Sequence, residues 1–430
     1  MTSTISLSRR TALKSTATAA LLSTVKASFP YGAHAATTGP ETTRALLGFI
    51  ALTDASPLVI AKDKELFAKH GMPDVEVLKQ ASWGALRDNL ALGGAASGLD
   101  GAHILTPMPY LMTLGTVTQN GVPVPMSILA RLNLDAQGIS VAKEHLGSGV
   151  QLDAAALKAS LEAKQASGQE VKAAMTFPGG THDLWLRYWL AAGGIDPDHD
   201  IQTIVVPPPQ MVANMKVGTM DVFCVGEPWN GQLVRQGVGF TACNTGEIWP
   251  RHPEKSLALR EDWVAAHPEA AQALTTAVLE AQIWCDDPAN KEEMCEIVGR
   301  RAWFNVPPKD ILPRQQGHYD HGDGRVIEDS PHAMKFWRDF ASYPFRSHDL
   351  WFLVENMRWG RLDPGLDTQA IIARVNREDI WRDAARSLGV SAEQVPSSTS
   401  RGPERFFDGV AFDPENPAAY LDRLAIKRIA

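Results

Sequence analysis

The chain has 430 residues, 41 basic against 49 acidic side chains, and four cysteines. This acidic balance excludes nucleic acid as a partner, because phosphate backbones call for a basic surface. It does not exclude a small anion, whose site is set by a few local groups. The length is too great for one core and suits two lobes.

Residues 1–35 read as an export signal. The paired Arg9-Arg10 precedes a short apolar stretch from Ala17 to Val25, and Ala33-His34-Ala35 offers a small-x-small cleavage site. The apolar stretch is far below the ~20 residues that span a bilayer, and the twin arginines point to the bacterial Tat route. Removing this segment takes away four basic side chains and no acidic ones, which leaves 37 against 49.

After the signal, strand-like and helix-like pieces alternate. Arg44–Phe49 is a short apolar run, Pro57–His70 is amphipathic, and Asp74–Lys79 alternates as a second strand. Ser82–Leu92 looks helical, and Gly98–His103 leads into another strand. This rhythm predicts a parallel sheet covered by helices. From about residue 128 a second unit begins. Its strands are expected at Ile139–Ala142, Val171–Phe177, Ile201–Val206 and Asp221–Val225, with a helix over Asp183–Gly193. Beyond Thr245 the pattern turns helical: Asp262–His267, Ala270–Asp286, Lys291–Arg300, Ala333–Phe340 and Thr368–Val375 carry apolar residues at helical spacing. The proline-rich last forty residues read as a tail along the surface. The expected organisation is a signal at 1–35, lobe 1 at 44–127, lobe 2 at 128–244, a largely helical return to lobe 1 at 245–390, and a tail at 391–430. A chain that crosses twice between two α/β lobes leaves a cleft suited to ligand capture.

Nothing supports covalent catalysis: there is no G-x-S-x-G, Walker loop, G-x-G-x-x-G or H-E-x-x-H. Cys224, Cys243, Cys285 and Cys295 form no C-x-x-C. A Cys224–Cys243 bridge fits the strand-like runs that hold them, but Tat cargo folds in a reducing cytoplasm, which favours four thiols. His318, Asp320, His321 and Asp323 have metal-ligand chemistry, yet their glycine-rich HYDHGDGR string equally describes a polar loop. No metal or cofactor is expected.

Three segments place polar donors beside aromatics and glycines: KQASWGALRDNL, with Trp83 at a loop-to-helix junction; TFPGGTHDLWLRYW, with His182 after Gly179-Gly180; and VGEPWN with TGEIWPRHPEKS, holding Gly226, Glu227, Trp229 and Lys255. A helix start points N–H groups at any anion placed there. For most of the twelve tryptophans core packing is the plainer reading, and for His182 a capping or buried histidine.

With GFIALTDASPLVIAK, DGAHILTPMPYL, ARLNLDAQGISV, HPEKSLALR and FFDGVAFDPENPAAYL, these strings make the chain resemble the substrate-binding proteins of nitrate ABC transporters. That family also contains the cyanobacterial bicarbonate-binding protein. The resemblance runs from about Leu46 to Leu424. It implies a type II periplasmic-binding-protein fold, two α/β lobes joined by two crossovers, with an anion held in the cleft. It also implies nitrate or nitrite as ligand, delivery to an ABC permease and its ATPase, and residence in the periplasm. Carried over by motif, the nitrate contacts fall on Trp83, Gln137, His182, Gly226 and Lys255.

The chemistry of those five residues agrees. Nitrate is planar, singly charged, and only accepts hydrogen bonds. Trp83, Gln137 and His182 supply N–H donors, Gly226 lets the backbone approach, and Lys255 supplies charge. A four-atom ligand at about 1.5 kcal/mol per atom reaches roughly −6 kcal/mol. Micromolar capture needs about −8 kcal/mol, so a desolvated charge pair must add the rest. In the bicarbonate-binding relatives an acidic residue replaces this lysine and calcium compensates it. Were Glu254 rather than Lys255 to face the cleft, that argument would invert. Two other readings share the fold: a cytoplasmic nitrate sensor that restrains an RNA-binding antiterminator, which residues 1–35 oppose, and a pyrimidine synthase that needs a cysteine-rich iron motif, which the scattered cysteines oppose.

Overall fold

The computed structural model describes residues 39–429. The twin-arginine segment and the cleavage site lie outside the described residues. Two five-stranded mixed sheets carry the architecture. The first has the order β2-β1-β3-β10-β4, from β1 (Leu46–Phe49), β2 (Glu76–Lys79), β3 (Gly101–Leu105), β4 (Met126–Arg131) and β10 (Lys255–Arg260). The second has the order β7-β6-β8-β5-β9, from β5 (Gln137–Ala142), β6 (Lys172–Met175), β7 (Gln202–Val205), β8 (Val222–Gly226) and β9 (Gly239–Asn244). In the first sheet β1 pairs in parallel with β2 and β3, and β10 antiparallel with β3 and β4; in the second β6 pairs in parallel with β7 and β8, and β5 antiparallel with β8 and β9.

The chain leaves the first sheet after β4 and returns only with β10, which inserts between β3 and β4. Two crossovers are therefore built into the topology, at 132–136 and 245–254. Residues Ile128–Arg131 belong to the first sheet, so the change of lobe falls a few residues after the expected 127/128 boundary. The reason is visible in the backbone. Asp135 and Ala136 both have left-handed φ, 58° and 60°, and turn the chain between sheets immediately before Gln137. Such conformations in non-glycine residues persist only where the surroundings hold them.

Helices cover the sheets. α1 (Ser56–Asp63) buries its first six residues behind β1. α2 (Trp83–Leu92) starts at Ser82, whose hydroxyl accepts from the Ala85 N–H, so Trp83 sits in the first turn. α3 (Thr181–Ala192) buries all of its first eleven residues. Its start is tight: a Cβ on Gly179, at φ +73°, would lie 2.6 Å from Asn356 Oδ1. α4 (Pro268–Asp286) packs on α1.

α5 (Arg346–Arg358) is absent from the sequence-based expectations. It is buried from Ser347 to Arg358, so it carries no one-sided apolar stripe to read. Its Asp349 pairs with Arg131 of β4, its Asn356 Nδ2 donates to Gly179 O, and its Trp351 stacks on Trp185 of α3. One helix thus grips both lobes.

Two further expectations are corrected. Ala333–Phe340 is not an α-helix, and only Arg338–Phe340 make a short 3-10 turn. The Asp286 carboxylate accepts from the backbone N–H of Phe336, Trp337 and Arg338, and Lys335 bridges to Leu134, which spends the amides a helix would need. The stretch 245–390 is largely helical and returns to the first sheet with one strand, β10. The last forty residues do not merely lie along the surface. They form a two-stranded turn (Glu404–Arg405 with Ala411–Phe412) and a helix (Pro417–Arg423), and they bury Phe406 and Tyr420 against Trp351, Tyr188 and Glu355. The four cysteines are buried and unpaired.

Candidate functional site

Gln137 opens β5 and lies opposite Gly226, the last residue of β8. Lys255 opens β10, His182 sits in the first turn of α3, and Trp83 in the first turn of α2. Element ends thus bring all five residues into one place at the crossovers. Each is buried.

The Gln137 side chain is central. Its Oε1 is 2.9 Å from His182 Nε2 and 3.4 Å from Lys255 Nζ, and its Nε2 lies 3.3 Å from Asp54 Oδ2. The same Nε2 is held by the carbonyls of Asp135 and Ala136 at 3.2 and 3.1 Å, so the left-handed turn orients the amide. A Cβ on Gly226 would stand 2.5 Å from Gln137 Oε1, which is why no side chain fits there. Lys255 Nζ lies 5.9 Å from the centre of the Trp83 ring. The Trp83 Nε1 donor is buried without a hydrogen-bond partner among the described residues.

Two carboxylates complete the cluster. Asp54 Oδ2 is 2.9 Å from Lys255 Nζ, and its Oδ1 is 2.6 Å from His103 Nε2. Glu254 Oε1 is 3.0 Å from Lys255 Nζ and accepts from Thr181, while Oε2 accepts from Trp185 Nε1 at 2.7 Å. Lys255 and Glu254 therefore both reach the cluster: the ammonium faces Trp83, Asp54 and Gln137, and the carboxylate faces the start of α3.

Burial alone would raise the Asp54 carboxyl, but Lys255 and His103 hold it well below the usual carboxylate range. Burial would lower the Lys255 ammonium, yet Asp54 and Glu254 outweigh it and push it up. Glu254 is raised, with burial winning over Lys255, Thr181 and Trp185. His182 is driven well below its ordinary value, first by burial and then by Lys255. Its Nδ1 meets Thr176 Oγ1 at 2.6 Å.

Asp54 is the residue that sequence reasoning missed. The signal was present: a lone carboxylate in Phe49–Ile60, an otherwise apolar run, needs a buried partner. Partners on β3 and β10 are too distant in sequence to be read from the run itself.

The His318–Asp323 loop lies elsewhere. Tyr319-Asp320 pairs with Val326-Ile327, His321 Nδ1 meets Thr241 O at 2.9 Å, and Arg325 binds Asp323. These contacts fasten the loop to β9. Among the described residues one group has metal-like spacing, Glu144, His145 and Asp221, and Lys164 Nζ already stands 2.6 Å from both carboxylates. A cavity of about 380 Å³ between Arg87, Leu111, Phe177 and Arg361 shares no residue with the cluster.

Comparison with known proteins places this arrangement in a family. Residues 38–299 match the NMT1-like family. The chain is 60% identical over 391 residues to the nitrate/nitrite binding protein NrtA of Synechocystis sp., covering 91% of this chain and 86% of that protein. It is 44% identical over 391 residues to the bicarbonate-binding protein CmpA of Synechococcus sp., covering 89% and 86%. The crystal structure of the periplasmic nitrate-binding protein NrtA from Synechocystis PCC 6803 superposes with a TM-score of 0.88, covering 90% of this chain and 100% of that one.

Proposed function

Because this chain belongs to the NMT1-like family and is 60% identical to a nitrate/nitrite binding protein over 91% of its length, we propose that it is the nitrate-binding component of an ABC importer. Its fold is the type II periplasmic-binding-protein fold. It captures nitrate, and nitrite as a planar anion of the same charge, by reversible, non-covalent binding. It then hands the anion to a membrane permease driven by an ATPase. It acts in the periplasm after Tat export of residues 1–35, and among the described residues no helix is long and apolar enough to cross a membrane.

The observation that carries this reading is the buried Lys255 ammonium, 3.4 Å from Gln137 Oε1 of β5 and 5.9 Å from the Trp83 ring of α2, with His182 Nε2 of α3 2.9 Å from the same oxygen and Gly226 of β8 opposite Gln137. Trp83, Gln137, His182 and the Gly226 backbone hold the nitrate, and Lys255 is its counter-charge. The Asp54 carboxylate adds support. It is itself a planar oxyanion, bound by Lys255, Gln137 and His103, so the cluster has the shape and polarity for such a group. No step of chemistry is required of any residue.

Calorimetric titration of the protein with nitrate tests the reading, with bicarbonate, with and without calcium, as the competing ligand. One nitrate per chain, independent of calcium, is expected. Bicarbonate binding that needs calcium, without nitrate binding, would overturn the assignment. Export is tested separately: replacing Arg9 and Arg10 by lysines should leave the protein in the cytoplasm, and unchanged periplasmic recovery would argue against the Tat route.

Gly226→Ala is expected to weaken nitrate binding about tenfold or more, roughly 1.4 kcal/mol. The new methyl would meet Gln137 Oε1 at 2.5 Å and Leu52 Cδ2 at 3.2 Å, so the amide must turn away from the anion. Unchanged affinity in a correctly folded variant would place the anion away from β8.

A further inference from the structure

The charges in the cluster do not balance for an anion that arrives alone. One ammonium serves two carboxylates: Lys255 Nζ is 2.9 Å from Asp54 and 3.0 Å from Glu254, and all three side chains are fully buried. Among the described residues the other titratable groups facing them are the Cys224 thiol of β8, which burial and Glu254 push well up and keep neutral, and three histidines. His103 on β3 bonds to Asp54, His182 on α3 lies 3.4 Å from Glu254 Oε1, and His252 lies 3.6 Å from Glu254 Oε2. Around them, Asp135 is closed by Lys335 and Asp183 by Arg187 and Arg361. With the histidines neutral, the cluster holds one net negative charge. A monovalent anion would make it two among fully buried side chains, and uncompensated buried charge is strongly disfavoured.

Resting on the nitrate reading above, we propose that each anion enters the site together with one proton, which the His182–Glu254 pair holds while the anion is bound. The net charge of the cluster then stays at minus one. The proton has a place to go. Protonated at both nitrogens, the His182 ring donates from Nδ1 to Thr176 Oγ1 and from Nε2 toward Gln137 Oε1 and Glu254 Oε1. The threonine hydroxyl can rotate to accept from the protonated Nδ1. His103 lacks this option: its Nδ1 has no hydrogen-bond partner among the described residues. His252 stands outside the ring of anion contacts, against the Trp185 face.

The resting preferences fit. Burial and Lys255 keep His182 neutral at rest, while burial raises Glu254, so the carboxylate end of the pair is the one disposed to take the proton when a negative charge arrives. The sign of the pH effect follows from linkage. Protons are taken up on binding, so affinity falls as pH rises. The dependence spans the interval between the pair's value in the free protein and its higher value in the complex, and is flat on either side.

The test is calorimetry of the whole protein with nitrate at pH 7 in phosphate and in Tris, whose ionisation heats differ. The expected result is one proton taken up per nitrate bound, with Kd rising about tenfold per pH unit within the interval. Tight nitrate binding with no proton uptake between pH 6 and 8 would overturn the proposal and leave the nitrate assignment standing. Absence of nitrate binding would remove both. Glu254→Gln deletes one negative charge and keeps one acceptor oxygen, which serves either Thr181 Oγ1 or Trp185 Nε1 but not both. It should bind nitrate without proton uptake and without pH dependence. Full uptake in that variant would also overturn the proposal, and the wild-type proton count decides the matter should the variant not fold.

Discussion

Lys255→Gln is expected to weaken nitrate binding a hundredfold or more. Glutamine keeps a hydrogen-bond donor and most of the stem but removes the positive charge that, among the described residues, touches Asp54, Glu254 and Gln137 together. Truncating one partner of a buried, hydrogen-bonded charge pair costs about 2–5 kcal/mol, and every ~1.4 kcal/mol is tenfold. Lys255→Glu goes further, setting three carboxylates against the anion, and should abolish binding altogether. Calorimetric titration of both variants, with circular dichroism to confirm the fold, reads the effect. A Lys255→Gln protein within tenfold of wild type would mean that another cation balances the ligand.

The largest effect on stability is expected at Trp185. Its ring stacks on Trp351 with centroids 5.0 Å apart and packs at 4.4 Å from His252, 5.8 Å from Phe352 and 6.0 Å from Trp249. Deleting such a ring costs about 3–5 kcal/mol through lost transfer energy and the cavity left behind. Trp185→Ala also removes the indole donor to Glu254 Oε2, so the site's carboxylate loses a hydrogen bond. Urea unfolding should show a lower midpoint with little change in slope. Trp185→Phe, which keeps most of the volume, isolates the lost hydrogen bond at about 1–3 kcal/mol. A Trp185→Ala protein within 1 kcal/mol of wild type would show that the aromatic cluster does not hold α3 in place.

This pairing of stability and function has a structural reason. The residues proposed to bind sit at the ends of elements, where backbone N–H groups and side chains converge, and the residues behind them lock those ends. Thr181 and Trp185 hold Glu254, Thr176 holds His182, and the Asp135–Ala136 turn holds Gln137. Such support positions a small ligand more closely than flexible loops would.

Much of this was legible in the chain itself. β1, β2 and the helix after Gly179-Gly180 follow from apolar alternation and helical spacing, because those elements bury one face or lie in a repeated strand-helix rhythm. β10 was not legible: Lys255–Arg260 is six residues long, sits among helical patterns, and finds its partners Leu105 and Arg131 more than a hundred residues away. α5 hid for the opposite reason, being buried on every side. In the site, aromatic and glycine-rich strings marked Trp83, His182, Gly226 and Lys255 as unusual. Asp54 and the second role of Glu254 depend on tertiary pairing across both crossovers, which no local pattern encodes.

The measurement that bears most directly on the central claim is a crystal structure of the protein grown with nitrate. The expected result is a planar anion within about 3 Å of Lys255 Nζ and of the N–H groups of Trp83, Gln137, His182 and Gly226. An anion found instead among Arg87, Phe177 and Arg361, with the cluster around Lys255 unchanged, would contradict it.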